Sequence, residues 1–355
     1  MKIESITLQN YKKFVLPKTF SFRNTEGEIN DVTLILGNNG SGKSSILQAI
    51  TMLIASVTRE KFTPESLDWS GFEYRHLQTG ALPTKVEAKI FFDENEKIAT
   101  QNFAKQLQDK GVKLGTPSNL SHIKLSLDYQ NKQVSAKEGH KAYYQFSGYQ
   151  YAKSLAPLTP NKISLFENVG NIYWYTEQRN AYSVSNLLDN EAPQIDFIRS
   201  FLANAYSYHL AVTEKGRPIR EGEFDFYDKL QSLYKIMFPN RTFVGSAPNF
   251  NLYEQSKIPD FFLFDGKNQY ELSGMSAGER AIFPILMDFT RWNINNSIII
   301  IDEIELHLHP PLQQVLIRTL SKLGKNNQFI ITSHSNSVAS MFDENENQII
   351  RLPNE

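Results

Sequence analysis

The sequence predicts an α/β fold built on a central, mostly parallel sheet, with an antiparallel β lobe and a small inserted helical lid. Three observations predict it. The run Val32-Thr33-Leu34-Ile35-Leu36 leads through a glycine-rich loop into apolar residues at helical spacing from Ser45 to Val57. A second aliphatic run, Ser297 to Ile301, ends in Asp302-Glu303, and a third, Gln328 to Thr332, exits into Ser333-His334-Ser335. Short aliphatic runs separated by helical segments read as buried parallel strands, whose C-terminal ends share one sheet edge where ligands bind.

The loop after the first strand, Gly37-Asn38-Asn39-Gly40-Ser41-Gly42-Lys43-Ser44, fits the phosphate-binding pattern G-x-x-x-x-G-K-[ST]. Its glycines let successive backbone N–H groups point inward at the positive end of the following helix. Lys43 is expected to reach the β- and γ-phosphates, and Ser44 to offer a hydroxyl to Mg²⁺, a hard cation that prefers oxygen. Gly37 through Ser44, with Ser45, are the expected nucleotide-binding residues.

Asp302 and Glu303 follow the second strand as a Walker B element would. Asp302 is expected to hold Mg²⁺, through water, and Glu303 to polarise the water that attacks the γ-phosphate. A buried strand followed by a solvated acidic turn is the bland alternative, weakened by the company of the phosphate loop. His334 is placed to contact the γ-phosphate, although a histidine after a strand is more often a surface residue. About thirty residues separate it from Glu303, room for one helix near Pro311 to Leu323.

Upstream, Met275-Ser276-Ala277-Gly278-Glu279 precedes an apolar helix that begins near Ala281. Such a run can bind phosphate through backbone donors at a helix start, and Ser276 with Glu279 fits a capping box equally well.

Lys and Arg total 37 against 38 Asp and Glu, so the overall charge gives no support for nucleic acid as partner. No cysteine is present, which excludes disulfides, thiolate zinc sites and a cysteine nucleophile. No signal-peptide pattern or membrane-length apolar run occurs, so a cytoplasmic protein without membrane contact is expected.

In the middle of the chain, Val86 to Phe92 and Ile123 to Leu127 alternate or are β-rich, as an antiparallel lobe requires. Ile195 to His209 and Phe224 to Met237 carry helical spacing, broken by Pro218, Pro239 and Pro248. Residues 101–153 hold eight lysines against three acids, followed by Tyr143, Tyr144, Phe146, Tyr149 and Tyr151. Nucleic acid can dock on such a stretch, but a solvated surface over an aromatic core is the stronger reading.

Taken together, the phosphate loop, Met275 to Glu279, Ile301-Asp302-Glu303 and His334 resemble the Walker A, signature, Walker B and H-loop elements of ABC-type ATPases, in the same order. Ile6 to Phe14 resembles the N-F-R-x-F opening of the SMC, RecF and OLD-like branch. Glu305-Leu306-His307-Leu308-His309-Pro310 resembles the E-x-x-L-H-P D-loop of bacterial OLD-like and defence ATPases, which argues against a His307/His309 metal pair. Ile172 to Asn180 resembles the Q-loop strand, with Gln178 its candidate glutamine.

The resemblance implies ATP and Mg²⁺ as cofactors, with Gln178 joining Ser44 and Asp302 at the metal. It also implies two subunits sandwiching two ATP molecules, Ser276, Gly278 and Glu279 facing the partner's phosphate loop. The expected division is residues 1–180 as an N-terminal ATPase lobe, 181–268 as a helical lid, and 269–355 as a C-terminal ATPase lobe. Few residues follow His334, so no attached TOPRIM nuclease is expected, and a separately encoded nuclease or toxin is the implied partner. An anti-phage defence ATPase of the PtuA and AriA kinds fits this best. A RecF-like DNA repair ATPase that clamps DNA is the alternative, while a nucleotide-stabilised scaffold and a transporter subunit fit less well.

Overall fold

A computed structural model describes residues 1–159, 162–178, 195–247, 258–342 and 347–353. In chain order, the first elements are β1 (Lys2–Gln9), β2 (Lys18–Ser21), β3 (Val32–Leu36), α1 (Lys43–Thr58), β4 (Lys85–Phe91), α2 (Glu94–Asp109), β5 (His122–Asp128) and β6 (Gln133–Ala136). Two short helices, α3 (His140–Tyr144) and α4 (Gly148–Leu155), precede β7 (Ile172–Tyr175). Next come α5 (Ile195–Thr213), α6 (Phe226–Met237), β8 (Thr242–Ala247), β9 (Asp260–Phe264), β10 (Gln269–Glu271) and α7 (Ala277–Trp292). The last are β11 (Ile298–Ile301), α8 (Pro310–Leu320), β12 (Gln328–Ser333), α9 (Asn336–Ala339) and β13 (Ile349–Arg351).

These elements form two compact units. The first comprises Met1–Thr176, Ile294–Ile304 and Leu320–Glu355, the second Glu177–Asn293 and Glu305–Thr319.

The first unit holds two sheets. A parallel sheet runs β13-β3-β12-β11-β7, and an antiparallel sheet runs β2-β1-β4-β5-β6. Helix α1 contacts strands of both, so every residue from Ile46 to Thr58 is buried. That explains why its apolar residues surround the helix: only a helix covered on all sides tolerates this. Each fully buried leucine or isoleucine there contributes roughly 1.5–3 kcal/mol. Ser56 and Thr58 return their hydroxyls to Met52 and Ile54 carbonyls, which removes the penalty of burying them.

The register of the parallel sheet aligns its C-terminal ends. Ile301 lies opposite both Ile331 and Tyr175, and Ser333 lies opposite Leu36. The strands read at 32–36, 297–301 and 328–332 thus occupy one sheet and deliver their polar exits to one edge.

The antiparallel lobe is present, but residues 94–155 also fold into α2, α3 and α4, which the β-rich reading missed. Asp93 starts α2 by accepting a hydrogen bond from Glu96 N–H, a local N-cap that the strand pattern concealed. Phe146, Tyr149 and Tyr151 are buried among these helices, so the tyrosine-rich stretch serves largely as core.

The second unit combines α5, α6 and α7 with an antiparallel sheet β10-β9-β8. Tyr227, Tyr234, Phe243, Phe261 and Phe283 form its aromatic centre, with ring centroids 4.9 to 6.5 Å apart. The inserted region is thus mixed rather than purely helical. Among the described residues, no helix is long and apolar enough to cross a membrane.

Candidate active site

Between β3 and α1 the chain turns through two left-handed glycines, Gly40 at φ 78° and Gly42 at φ 97°. Gly42 is required twice over. A β-carbon there would lie 2.9 Å from Cζ of Phe14, closer than real contacts permit, in addition to the conformational penalty. Phe14 belongs to the opening segment Ile6–Phe14, in which Tyr11 and Phe14 exchange both backbone hydrogen bonds. That tight turn carries Lys12 and Lys13 to its tip.

Lys13 Nζ donates to the Gly40 carbonyl at 2.8 Å. Lys12 Nζ donates to Gln48 Oε1 at 2.5 Å and to the Gly71 carbonyl at 3.0 Å. Burial lowers the Lys12 pKa from its ordinary value. Lys43, almost fully buried, donates to the Gly37 and Asn38 carbonyls at 2.8 and 3.0 Å. An ammonium has three donors, so one further N–H can serve a phosphate oxygen. These three lysines line a cavity of about 340 Å³ with Ser44, Ser45, Glu303 and the loop residues Asn39, Gly40 and Gly42.

Glu303 enters this cavity from β11, a strand of four consecutive buried isoleucines. Asp302, 1% exposed, donates its backbone N–H to the Tyr175 carbonyl at 2.9 Å. Glu303 adopts φ 45°, the left-handed region, which redirects the chain immediately beyond the strand. Thr332 of β12 secures this turn. Its hydroxyl accepts from Glu303 N–H at 2.8 Å and donates to Asp302 Oδ1, and its carbonyl accepts from Ile304 N–H at 3.0 Å. His334 is exposed one residue beyond β12, whose last residue, Ser333, accepts a hydrogen bond from Gly37 N–H at 3.4 Å. The exit of β12 and the entry of the loop are thereby joined.

The Ser44 hydroxyl and the Asp302 carboxylate both offer oxygen, the donor type that suits Mg²⁺.

In the second unit, Ser276 caps α7 and is exposed, as is Ala277. Both halves of the capping box form. Ser276 N–H donates to Glu279 Oε2 at 2.8 Å, and Ser276 Oγ accepts from Glu279 N–H at 3.3 Å. Glu279 itself is fully buried. Tyr234 and Tyr270 hydroxyls donate to its carboxylate and Arg241 pairs with it. Burial pushes its pKa up, but these donors outweigh burial and hold it below the ordinary value. Its carboxylate reaches no further than this cluster, so any phosphate contact here falls to Ser276 and to Gly278, whose Cβ position would meet the His307 carbonyl at 3.4 Å.

Just upstream, Arg199 of α5 grips Glu271 with two bonds of 2.8 Å, and Glu271 also accepts from Ser273 N–H. Burial opposes ionisation of Glu271, yet Arg199 and Ser273 bring its pKa down to about 2. Gln178 is exposed in the turn after β7, while Arg179 and Asn180 of the same segment, like Pro248, lie outside the described residues.

A model of the AAA ATPase domain matches residues 1–339. The chain belongs to the AAA ATPase domain family. This ATPase is 23% identical over 390 residues to the retron Vc95 probable ATPase of Vibrio cholerae serotype O1 biovar El Tor, covering 99% of this chain and 73% of the relative. It is 25% identical over 389 residues to the retron Ec83 probable ATPase of Escherichia coli, covering 97% of this chain and 70% of the relative. Its fold is similar to that of SMC heads. A solved SMC head bound to the C-terminal winged-helix domain of ScpA superposes with a TM-score of 0.55 at 13% identity, over 97% of this chain and 92% of that one. An SMC head with an extended coiled coil bound to a ScpA domain, derived from Pyrococcus furiosus, gives 0.50 at 13% identity, over 96% and 92%.

The structure brings together Lys43, Ser44, Ser45 and Glu303, residues read more than 250 positions apart. It also shows residues that the sequence did not single out. Thr332 had no signal beyond its place at a strand end, and Phe14 none beyond the family-like opening. Tyr234, Arg241 and Tyr270 around Glu279 had none.

Proposed function

We propose that this ATPase binds ATP on the loop from Gly37 to Ser45 and hydrolyses it with Glu303. One observation carries the reading: Glu303 lines the same cavity as Lys43 and Ser44. In this mechanism the loop N–H groups and Lys43 bind the β- and γ-phosphates, and Lys13 adds positive charge beside Gly40. Ser44 and Asp302 would hold Mg²⁺; bound Mg²⁺ supplies charge neutralisation on the phosphate oxygens. Glu303 accepts a proton from the attacking water, and His334 contacts the γ-phosphate from the β12 exit.

Two copies close over two ATP molecules, each presenting Ser276 and Gly278 to the other's phosphates. The exposure of Ser276 at the start of α7 supports this, because a buried cap could not meet a second chain. The closed assembly controls a separately encoded nuclease or toxin in anti-phage defence, a reading supported by the family resemblance and by the retron ATPases to which the chain is similar. Glu303→Gln should slow turnover by about 10²–10⁴-fold while ATP still binds, and should accumulate an ATP-dependent dimer measurable by light scattering. Unchanged turnover would sink the assignment of Glu303, and a monomer at saturating ATP would sink the sandwich. Copurification with neighbouring gene products tests the effector.

A second reading, a clamp on DNA, draws on the antiparallel sheet of the first unit. There Glu4 and Glu87 are each ringed by three basic groups: Arg23, Lys89 and His122 around one, Lys85, Lys124 and Lys137 around the other. In these two clusters five Lys and Arg side chains surround two carboxylates, so DNA-stimulated hydrolysis with a steep salt dependence would favour it.

A further inference from the structure

Three successive residues at the end of β11 depend on a single residue of the neighbouring strand. Thr332 is fully buried and lies between β3 and β11 in the sheet. Its hydroxyl hydrogen is spent on Asp302 Oδ1, and its oxygen accepts from Glu303 N–H at 2.8 Å. Its carbonyl holds Ile304 N–H at 3.0 Å.

The hydroxyl bonds address two separate needs of the site. The Asp302 carboxylate is joined to the backbone through two rotatable bonds and can be turned several ways, and a donor fixed on Oδ1 narrows that freedom while leaving Oδ2 for a cation. Glu303 sits at φ 45°, a conformation that non-glycine residues adopt only when their surroundings enforce it. The bond from its N–H to Thr332 Oγ1 provides that enforcement and satisfies a backbone donor at the turn. Packing alone does not call for threonine, since valine has the same branched shape and suits a buried strand equally well. The hydroxyl is the distinguishing atom.

We infer that Thr332 is a positioning residue for hydrolysis, setting the direction of the Asp302 carboxylate and the backbone turn that aims Glu303 into the phosphate cavity. This rests on the roles proposed above for Asp302 and Glu303.

The test compares Thr332→Val, Thr332→Ser and Thr332→Cys in the full chain. It measures melting temperature, kcat and KM for ATP, and affinity for a fluorescent ATP analogue in EDTA and across a Mg²⁺ titration. Thr332→Val should lower kcat by about 10–100-fold, the scale on which a mispositioned general base loses rate. Analogue affinity in EDTA should stay within about 3-fold, because the loop that binds phosphate is untouched. The Mg²⁺ concentration that half-saturates tightening of analogue binding should rise by about 10-fold or more, as for loss of an outer partner of a metal ligand.

Thr332→Ser keeps both bonds and should restore kcat to within about 3-fold, while Thr332→Cys, with a weaker donor and acceptor, should fall between. If Thr332→Val does not fold, the contrast of Ser with Cys decides the matter. Wild-type kcat and Mg²⁺ response in Thr332→Val, or equal defects in Ser and Val, would overturn the inference. Should Glu303→Gln and Asp302→Asn also leave turnover unchanged, the underlying site reading fails instead, so the two failures are distinguishable.

Discussion

Gly42→Ala places a methyl group where the structure has least room for it. Gly42 holds φ 97° and ψ 13° as the N-cap of α1, and an L-residue in the left-handed region costs roughly 1–2 kcal/mol. The added carbon would also stand 2.9 Å from Cζ of Phe14 and 3.3 Å from Cε2. Phe14 cannot simply swing aside, because it is buried and meets Phe20 edge-to-face at 5.4 Å. Overpacking of this kind adds about 1–3 kcal/mol, so the substitution should cost about 2–5 kcal/mol altogether.

Gly40→Ala is the matched control. Gly40 has φ 78° but nothing within 4 Å of the added carbon, so only the conformational part, about 1–2 kcal/mol, applies. Urea unfolding of both variants measures the difference, and titration with an ATP analogue reports the shape of the loop. A double-mutant cycle with Phe14→Leu isolates the contact: Phe14→Leu should recover at least about 1 kcal/mol of the Gly42→Ala loss, as expected for touching residues. Equal costs for the two glycine variants, or no coupling to Phe14, would refute the reasoning that Phe14 buttresses the loop.

Two further outcomes follow from buried carboxylates. Burial would raise the Glu87 pKa, but Lys124, Lys137 and Lys85 bring it down to about 2 from an ordinary 4.5. A folded-state pKa below the unfolded one stabilises the fold above pH 4.5, and this contribution is lost as pH falls from 4.5 through about 2. The lysine ends are partly solvated, so Glu87→Gln should cost about 1–2 kcal/mol at pH 7, and its denaturation curve should converge with the parent's near pH 2. A gap that persists at that pH would show the loss to be steric rather than ionic. Tyr234→Phe removes one donor from the buried Glu279 carboxylate, and a hydrogen bond to a charged group contributes about 1.5–3 kcal/mol. Chemical denaturation should show a loss in that range; a neutral result would mean that Tyr270, Arg241 and Ser276 suffice.

Much of the nucleotide-binding half was legible in the chain because its chemistry is local. A glycine at φ 97°, a lysine one residue later and a hydroxyl beyond it must be contiguous to wrap a phosphate, so the pattern at 37–44 carries its own geometry. The four isoleucines before Asp302 likewise declare a strand covered on both faces. The order of these motifs was sufficient to anticipate the sheet and the family. The segment from Met275 to Glu279 was legible as a capping box for the same reason, since Ser276 and Glu279 are three residues apart on one turn.

What only the tertiary structure decided concerns partners far apart in the chain. Thr332 meets Asp302 and Glu303 because β11 and β12 pair in one particular register, and a shift of one residue would turn its hydroxyl to the opposite face. Phe14 supports Gly42 because a tight turn brings the opening segment under the loop. Helix α7 groups with α5, α6 and the β8–β10 sheet rather than with β3 and β11, and the donors that hold the Glu279 carboxylate come from Tyr234, Arg241 and Tyr270. Local sequence sets the chemistry that each turn can perform. Register and packing set which turns share a site, because those depend on distances that no spacing along the chain encodes.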